Sequence, residues 1–412
     1  MRIVVAGGAG AMPFAGVAWQ VMQYLEGFRR LGHDVFYLED TERWPYDPVA
    51  ESVSDDAGPA IEFVQTLMRR CGLDESWAYR DVADAGRLHG ASECSLEQWL
   101  STADLLVNVS GVMVLREEHL SVPVRLYLET DPVLPQIEVA LGREFTIDFL
   151  SAHTHHFTYG ENFGAPDCEV PVERFTYRPT RPPVVLDWWA DDSDRWISEP
   201  ETAELGDRAF TTIANWRQTS KDIVWKGRKL TWSKDVQFMR FLPVAARSAV
   251  PIELALASDD SSVLDVLRDA GWRVRPAGPL SKDLDAYRDF IRSSAGEFSV
   301  AKEQYALLRS GWFSDRTACY LASGRPAIVQ DTGFGRVLPT GEGLFAFATV
   351  EDAVGAFEAI RSDYPRHTRA SREIAHEYLR AETVLGDLLS ELGSSSTRAA
   401  VNSEHAPSLG DG

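Results

Sequence analysis

The residues best suited to bind a phosphate group lie between positions 297 and 335. Ser314 and Asp315 are good N-cap residues for the helix that follows them, and a Gly-Arg-Pro sequence ends that helix. The exposed amides and the dipole of a helix N-terminus attract phosphate. Arg316 and Lys302 can add charge-assisted hydrogen bonds to a diphosphate. The alternative interpretation is an ordinary capped helix with a surface arginine.

A basic stretch follows the predicted strand Phe210–Ala214. Residues 217–240 contain seven basic and two acidic residues, whereas the whole chain of 412 residues has 41 Lys and Arg against 62 Asp and Glu, a net charge of −21. Because the stretch begins with Arg217 directly after a strand, it would attract a phosphorylated ligand to the strand end. The alternative is a solvated, basic helix face.

Asp131 is the candidate general base. It follows the predicted strand Arg125–Leu128 at its carboxyl end, where a carboxylate can take a proton from a ligand bound there. The alternative is a helix N-cap before Pro132. Three histidines with side chains that titrate near neutral pH are the second candidates: His153, His155 and His156.

The turn Gly7–Gly10 is close to a dinucleotide-binding fingerprint but departs from it twice. Pro13 stands where the third glycine is required, and the acidic pair Glu39 and Asp40 lies about 30 residues on instead of about 20. The turn is therefore open to three interpretations. It binds NAD(P), it is a tight turn without ligand, or it lines a cleft that admits a substrate.

The elements that must position these residues alternate between strand and helix in both halves of the chain. Strands are predicted in the first half at Arg2–Ala6, Asp34–Leu38, Leu105–Val109 and Arg125–Leu128. Six are predicted in the second half: Phe210–Ala214, Ile252–Ala257, Arg273–Pro276, Phe298–Val300, Ala327–Gln330 and Leu344–Phe347. This alternation predicts two doubly wound α/β halves with parallel sheets. Ligands then bind at the carboxyl ends of the strands, where the halves face each other.

The domain boundaries follow from composition. Residues 1–180 form the first domain and 208–365 the second, and the proline-rich, acidic stretch 181–207 connects them. Helices are predicted over 366–392. Residues 393–412 are rich in Ser, Ala, Gly and Pro, which predicts a disordered tail.

Composition narrows the function classes. Hydrophobic residues make up 44% and charged residues 25% of the chain, as in folded proteins. The acidic balance predicts no nucleic-acid partner, and the absence of a run of 18 apolar residues predicts no membrane span. Four cysteines without CxxC spacing indicate reduced thiols, no structural zinc and a cytoplasmic location.

The run from Ser314 to Val329 resembles the donor-binding helix of the GT-B glycosyltransferases. In that superfamily a short helix ending in Ala-x-Gly-x-Pro precedes a buried strand and holds the nucleotide diphosphate. The glycine turn and Leu31–Val35 are similar to the acceptor half of such enzymes. Further pieces resemble an uncharacterised bacterial subgroup that is similar to glycosyltransferase group 1, or family 4: Glu129–Pro132, His156–Asn162, Asn215–Arg217 and Thr231–Lys234.

Two departures from the superfamily concern the mechanism. Many retaining members carry two glutamates seven residues apart on the donor side, and here Trp312 and Cys319 stand at those positions. Many inverting members carry a histidine on the loop after the first strand, but none occurs between Gly7 and Gln20. The stereochemical course therefore stays open.

The resemblance implies a GT-B fold of two Rossmann-like domains facing each other across a cleft, and a metal-independent, cofactor-free glycosyltransferase. It would move a sugar from a nucleoside-diphosphate sugar to a small-molecule acceptor, for example in antibiotic biosynthesis. The implied donor-binding residues are Asn215, Trp216, Arg217, Lys302, Ser314, Asp315, Arg316, Thr317 and Gly333. The implied acceptor-binding residues are Gly8, Ala9, Trp19, His156, Tyr159 and Glu161. Two alternatives are an NAD(P)-dependent oxidoreductase and a non-catalytic relative that binds a nucleotide or a partner.

Overall fold

The computed structural model describes residues 1–190, 204–218, 220–258 and 260–404, and for 394–404 it describes the backbone alone. The acidic cluster at 191–194 and residues 405–412 of the predicted tail lie outside the described residues. Within them, no helix is long and apolar enough to cross a membrane.

The first half is built on an eight-stranded sheet. Its strands, together with a small hairpin formed by β3 and β4, are β1 Arg2–Ala6, β2 Asp34–Glu39, β3 Tyr46–Asp47, β4 Ser52–Val53, β5 Trp77–Asp81, β6 Arg87–Gly90, β7 Leu105–Val109, β8 Val124–Glu129, β9 His155–Thr158 and β10 Tyr177–Pro179. Its helices are α1 Ala15–Arg30, α2 Gly58–Arg70, α3 Glu93–Thr102, α4 Glu117–Leu120, α5 Leu134–Ala140 and α6 Glu144–Ser151.

The strand order of this sheet is β10-β9-β8-β7-β1-β2-β5-β6, and every neighbouring pair except β5 with β6 is parallel. The chain winds in one direction from β1 to β2 and in the other from β7 to β10. The order therefore reverses between β1 and β7, and this switch point is where open α/β sheets bind ligands.

The second half repeats the arrangement with a sheet of six parallel strands, and it has a separate hairpin formed by β12 and β13. Its strands are β11 Phe210–Asn215, β12 Ile223–Trp225, β13 Arg228–Leu230, β14 Ile252–Ala257, β15 Arg273–Pro276, β16 Gly296–Ser299, β17 Ala327–Gln330 and β18 Leu344–Phe347. Its helices are α7 Asp235–Arg240, α8 Val244–Arg247, α9 Ser261–Asp269, α10 Gly278–Ser281, α11 Leu284–Ser293, α12 Glu303–Leu307, α13 Asp315–Ala322, α14 Val350–Ser362, α15 Tyr364–Ile374 and α16 Ala381–Glu404. The chain also has short 3₁₀ segments at Leu186–Trp188 and Phe334–Arg336 and a π-helical turn at Ala375–Leu379.

The order β15-β14-β11-β16-β17-β18 places a second switch point between β11 and β16. Two Rossmann-like doubly wound halves are thus confirmed. The basic stretch after β11 is the main local difference, because residues 223–230 in its middle form the antiparallel hairpin of β12 and β13, and only its end forms a helix, α7.

The C-terminal helices return to the first half. Leu385 of α16 lies against Gly27 of α1, and the same buried cluster joins Val5 of the first sheet to Val329 of the second. A short parallel bridge ties Val184 to this return, because Ala381 N donates to its carbonyl at 2.9 Å. The last helix continues to Glu404, beyond the predicted end of the C-terminal helices at 392.

The loop after β1 is closed by a buried carboxylate. Glu39 accepts hydrogen bonds from Gly10 N at 2.8 Å and Ala11 N at 2.5 Å, and Tyr37 donates its hydroxyl to the same carboxylate at 2.6 Å. Tyr37 Oη also accepts a bond from Ala9 N at 3.1 Å. Burial raises the pKa of Glu39 to about 7, although the three bonds to the carboxylate act in the opposite direction. The amides of this turn are therefore already engaged inside the domain.

The two halves touch through a glycine. Gly311 has a φ of +84°, and a Cβ on it would lie 2.2 Å from the backbone nitrogen of Asn162 in the first half. Asn162 N in turn donates to Ser310 O at 3.1 Å, and Asn162 Nδ2 donates to Arg309 O at 2.8 Å. No side chain fits at position 311 while the halves keep this contact.

We predict that Gly311→Ala lowers the free energy of unfolding by about 2 kcal/mol or more, because it adds a clash and a strained φ. Gly355→Ala is the matched control, since Gly355 lies in α14 with nothing within 4 Å of an added Cβ. The control should raise stability by about 0.5–1 kcal/mol. Urea unfolding measures both, and a neutral Gly311→Ala would contradict the tight junction.

We also predict a pH effect from Glu39. Its pKa is about 7 in the folded protein against an ordinary 4.5. Between those values the folded protein holds a proton that the unfolded chain has released, so stability falls as pH rises. The stability of the wild type relative to Glu39→Gln should therefore shrink from pH 4.5 to 7, by up to about 3 kcal/mol. Replacing the exposed Glu62 by Gln is the control, and curves for Glu39→Gln parallel to the wild type would refute the assignment.

Candidate functional site

The cleft between the halves lies at the carboxyl ends of both sheets. On the second half a small pocket opens between the ends of β16 and β17 and the start of α13. Its lining includes Ser299, Ala301, Trp312, Ser314 and Gln330. β16, which contributes Ser299 to this pocket, is also one of the two strands at the switch point between β11 and β16, so the pocket lies next to the place where the fold leaves room for a ligand.

The start of α13 has the geometry that the sequence predicts. Ser314 is the N-cap, and its Oγ accepts a bond from Arg316 N at 3.2 Å. Asp315 is the first helical residue, and burial raises the pKa of its carboxyl. Thr317 is fully buried in the same turn. The amide of Thr317 precedes the first intrahelical hydrogen bond, which runs from Ala318 N to Ser314 O, whereas the amide of Asp315 bonds to the carboxylate of its own residue.

Arg316 does not extend into the pocket, which corrects the expectation that its side chain grips a diphosphate. Its Nε donates to Glu297 Oε1 at 2.7 Å, and its two terminal nitrogens donate to Ile213 O and Ser299 Oγ at 2.8 and 2.7 Å. The guanidinium is directed at the sheet because Glu297 of β16 is fully buried and needs a cation. Arg316 therefore fixes α13 against β11 and β16.

Lys234 is the site residue that sequence reasoning missed. Its side chain is only 8% exposed, and its ammonium makes no hydrogen bond or ion pair with any described residue. Burial and the nearby charges of Arg316 and Lys302 lower its pKa well below the usual range, against the opposing effect of Glu297 and Asp131. An ammonium that lies near two other cations and has no hydrogen-bonded carboxylate is stabilised when an anion binds beside it. The Thr231–Lys234 segment that carries the resemblance was the available signal.

Asp131 and Lys302 come from opposite halves and meet in the cleft. Lys302 Nζ lies 2.7 Å from Asp131 Oδ1, and Tyr305 donates its hydroxyl to the same oxygen at 2.5 Å. The ammonium also lies 3.5 Å from the centre of the Trp232 ring. Burial would raise the pKa of Asp131, but Lys302, Lys221 and the hydrogen bonds outweigh it and hold the pKa at about 2. The Asp131 side chain is 43% exposed, so the paired carboxylate still faces the cleft.

The remaining donor candidates divide by exposure. Asn215 ends β11 in an exposed position, and Arg217 is 62% exposed with its Nε bonded to Asp235 at 2.9 Å. Trp216 is buried, and its ring stacks on Phe238 at 5.8 Å. Gly333 belongs to the junction between the halves, because a Cβ on it would lie 2.7 Å from the side-chain nitrogen Nδ2 of Asn162.

Four of the six acceptor candidates are packing residues, which corrects the expectation that they contact an acceptor. Trp19 is buried and donates its Nε1–H to Leu284 O at 3.1 Å across the two halves. Tyr159 is buried against Tyr24 with 2.7 Å between the hydroxyls. The other two have buried side chains that are bonded within the protein: His156, with Nε2 at 2.9 Å from Leu150 O, and Glu161, with Oε2 at 2.5 Å from Arg181.

Gly8 and Ala9 lie in the buried loop after β1. The amides of Ala9, Gly10 and Ala11 bond to Tyr37 and Glu39, so they are not free to hold a pyrophosphate. The oxidoreductase alternative therefore loses its binding loop. Glu39 lies too far along the chain for the ribose-binding acid of a dinucleotide-binding loop. Its carboxylate bonds to the amides of the loop instead.

One cluster among the described residues has the composition of a metal site: Asp40, Glu118 and His119. Two arginines already pair with its carboxylates. Asp40 accepts from Arg80 Nε at 3.0 Å and from both terminal nitrogens of Arg116, one of them at 3.0 Å. Two positive side chains in contact with the buried carboxylate disfavour a bound cation.

Comparison with known proteins gives matches among solved structures. No protein-family model and no curated protein matches the chain. An alpha-glucosyltransferase solved with UDP and mismatched DNA matches at a TM-score of 0.54 and 10% identity, over 95% of this chain and 100% of that chain. The Anabaena protein Alr3699/HepE, solved with UDP and glucose, matches at a TM-score of 0.53 and 10% identity, over 96% of this chain and 100% of that chain.

The prediction of no nucleic-acid partner, made from net charge, is wrong as an exclusion. Several of the matching structures are alpha-glucosyltransferases in complex with DNA. A net charge of −21 describes the whole chain, whereas a partner meets one face, and residues 217–240 of this chain are locally basic.

The sheet orders, the two switch points and these full-length matches agree. Both halves of the chain are covered, and so is the cleft between them. The chain has the GT-B glycosyltransferase fold.

Proposed function

We propose that the chain is a glycosyltransferase that moves a sugar from a nucleoside-diphosphate sugar to a small-molecule acceptor. Lys234 is the observation that carries this proposal. Lys234 is a mostly buried residue whose ammonium has no hydrogen bond or ion pair among the described residues and lies near Arg316 of α13, so it has the charge and position to receive a diphosphate.

The chain supplies several positive groups for the leaving diphosphate. Lys234 and the amide of Thr317 belong to the second half, as does Lys302, which adds a second ammonium. Preorganised donors of this kind stabilise the negative charge that grows on a departing group. We propose that these groups replace a divalent metal, so chelators should leave activity unchanged.

Asp131 has a different role from the base that the sequence suggested. A pKa of about 2 makes it a poor proton acceptor near neutral pH, because efficient general bases have pKa values close to the working pH. It remains an anion in the cleft, opposite the leaving group. We propose that it stabilises the positive charge that develops at the anomeric carbon, as carboxylates do in glycosidases.

The donor nucleoside is proposed from two solved proteins of this fold. The alpha-glucosyltransferase and Alr3699/HepE were both solved with UDP, so UDP is the first probe. Since the former was solved with DNA as well, an acceptor panel should include duplex DNA beside small hydroxyl compounds.

We predict opposite effects of Lys234→Met on the free and the bound protein. Removing an unpaired buried ammonium should leave the melting temperature of the free protein unchanged or higher. UDP at about 100 times its dissociation constant should stabilise the wild type by about 2.7 kcal/mol, and the variant should lose that shift. Lys226→Met, at the exposed tip of the hairpin, is the matched control and should keep it. A UDP shift that survives Lys234→Met would remove the central support.

A further prediction concerns Asp131. Asp131→Asn should reduce sugar transfer or donor hydrolysis by about a hundredfold, because it removes the anion that faces the anomeric carbon. UDP affinity should hold or rise, because Lys302 loses its competing partner. Asp265→Asn, on the exposed face of α9, serves as the control. Equal activity of both variants would exclude an electrostatic role for Asp131.

A further inference from the structure

A strained serine stands at the switch point of the first sheet. β7 ends at Val109, and the next residue, Ser110, has a φ of +58°. Non-glycine residues rarely adopt this left-handed conformation, and it persists only where the surroundings impose it. Ser110 is exposed at the end of a central strand, so packing of its own side chain does not explain the strain.

The surroundings of Ser110 impose this conformation from both sides. Asn108 is fully buried, and its side chain donates to Met113 O at 2.7 Å while accepting from Met113 N at 3.2 Å. Gly111 fills the tightest place, because a Cβ on it would lie 2.5 Å from the Tyr127 ring. These contacts hold residues 108–113 in a tight turn, in which Ser110 is exposed to solvent.

The hydroxyl of Ser110 contacts two side chains: Gln20, which lies across the switch point, and Thr130, which precedes Asp131. Its Oγ lies 2.6 Å from Thr130 Oγ1 and 3.3 Å from Gln20 Oε1 of α1. A serine hydroxyl has one proton and two lone pairs. Since Gln20 Oε1 can only accept, the proton of Ser110 is used within this group. An unused lone pair on Ser110 can then accept a bond from an incoming donor.

A second residue with a strained backbone follows Asp131 in the sequence. Val133 has a φ of +90°, an unusual value for a β-branched residue, at the N-cap of α5. Strained residues of this kind cluster at functional sites. Ser110 and Val133 therefore flank the Thr130–Asp131 segment, which indicates that this part of the cleft is built to hold a fixed geometry.

We propose that Ser110 is an acceptor-binding residue, whose Oγ accepts a hydrogen bond from a hydroxyl of the acceptor beside Asp131. The inference rests on the proposed function and adds the chemical class of the acceptor group, a hydroxyl. It also explains why the loop keeps a serine where a glycine would be free of strain.

The test uses UDP-saturated protein and methyl glucoside as the hydroxyl probe, with binding followed by saturation-transfer NMR. Ser110→Gly should raise the melting temperature and lose most of the signal. Ser110→Ala should lose the signal without the gain in stability. Ala85→Gly is the matched control, because Ala85 is an exposed residue with a φ of +49° outside the cleft. It should raise the melting temperature and keep the signal.

The outcomes separate the two proposals. Absence of a UDP-induced shift in the wild type would overturn the proposed function. A wild type that binds UDP but gives no signal with methyl glucoside would overturn the acceptor proposal alone. So would a signal that Ser110→Gly and Ser110→Ala retain. A lower melting temperature for Ser110→Gly would refute the strain argument.

Discussion

The ion pair between Lys302 and Asp131 sets the geometry of the cleft, because each charge belongs to a different half. It is supported by Tyr305 on the carboxylate and by the Trp232 ring on the ammonium. Trp312 of the second half adds another contact with the first half, because its Nε1–H donates to Thr130 O at 2.9 Å. A phosphate that attracts Lys302 must therefore compete with Asp131, so ligand binding weakens one of the contacts between the halves.

Three unfavourable features of the structure lie around this cleft. Lys234 is an uncompensated cation, and Ser110 and Val133 have strained backbones. Elsewhere the buried charges are matched, as Arg316 is by Glu297 and Asp40 is by Arg80 and Arg116. The unpartnered ammonium and the two strained residues therefore mark this cleft as the place where a ligand is expected.

The alternation of strands and helices could be predicted from the sequence because it rests on local periodicity. The direction of individual side chains could not. In a strand such as β9, successive residues face opposite sides, so a histidine at 156 is a packing residue for reasons that only the sheet supplies. Arg316 looked free because Glu297, which binds it, lies on a separate strand. Lys234 looked like one of seven surface bases, since burial of a lysine depends on tertiary packing.

The short parallel bridge between Val184 and the C-terminal return is where a hinge would lie if the two halves move apart. There the segment that leaves the first half lies beside the segment that comes back to it from the second. Two adjacent backbone segments resist sliding and stretching but permit rotation. An opening of the cleft would thus be a rotation of one half relative to the other about this bridge. Helix α16, which packs on α1, would move with the first half.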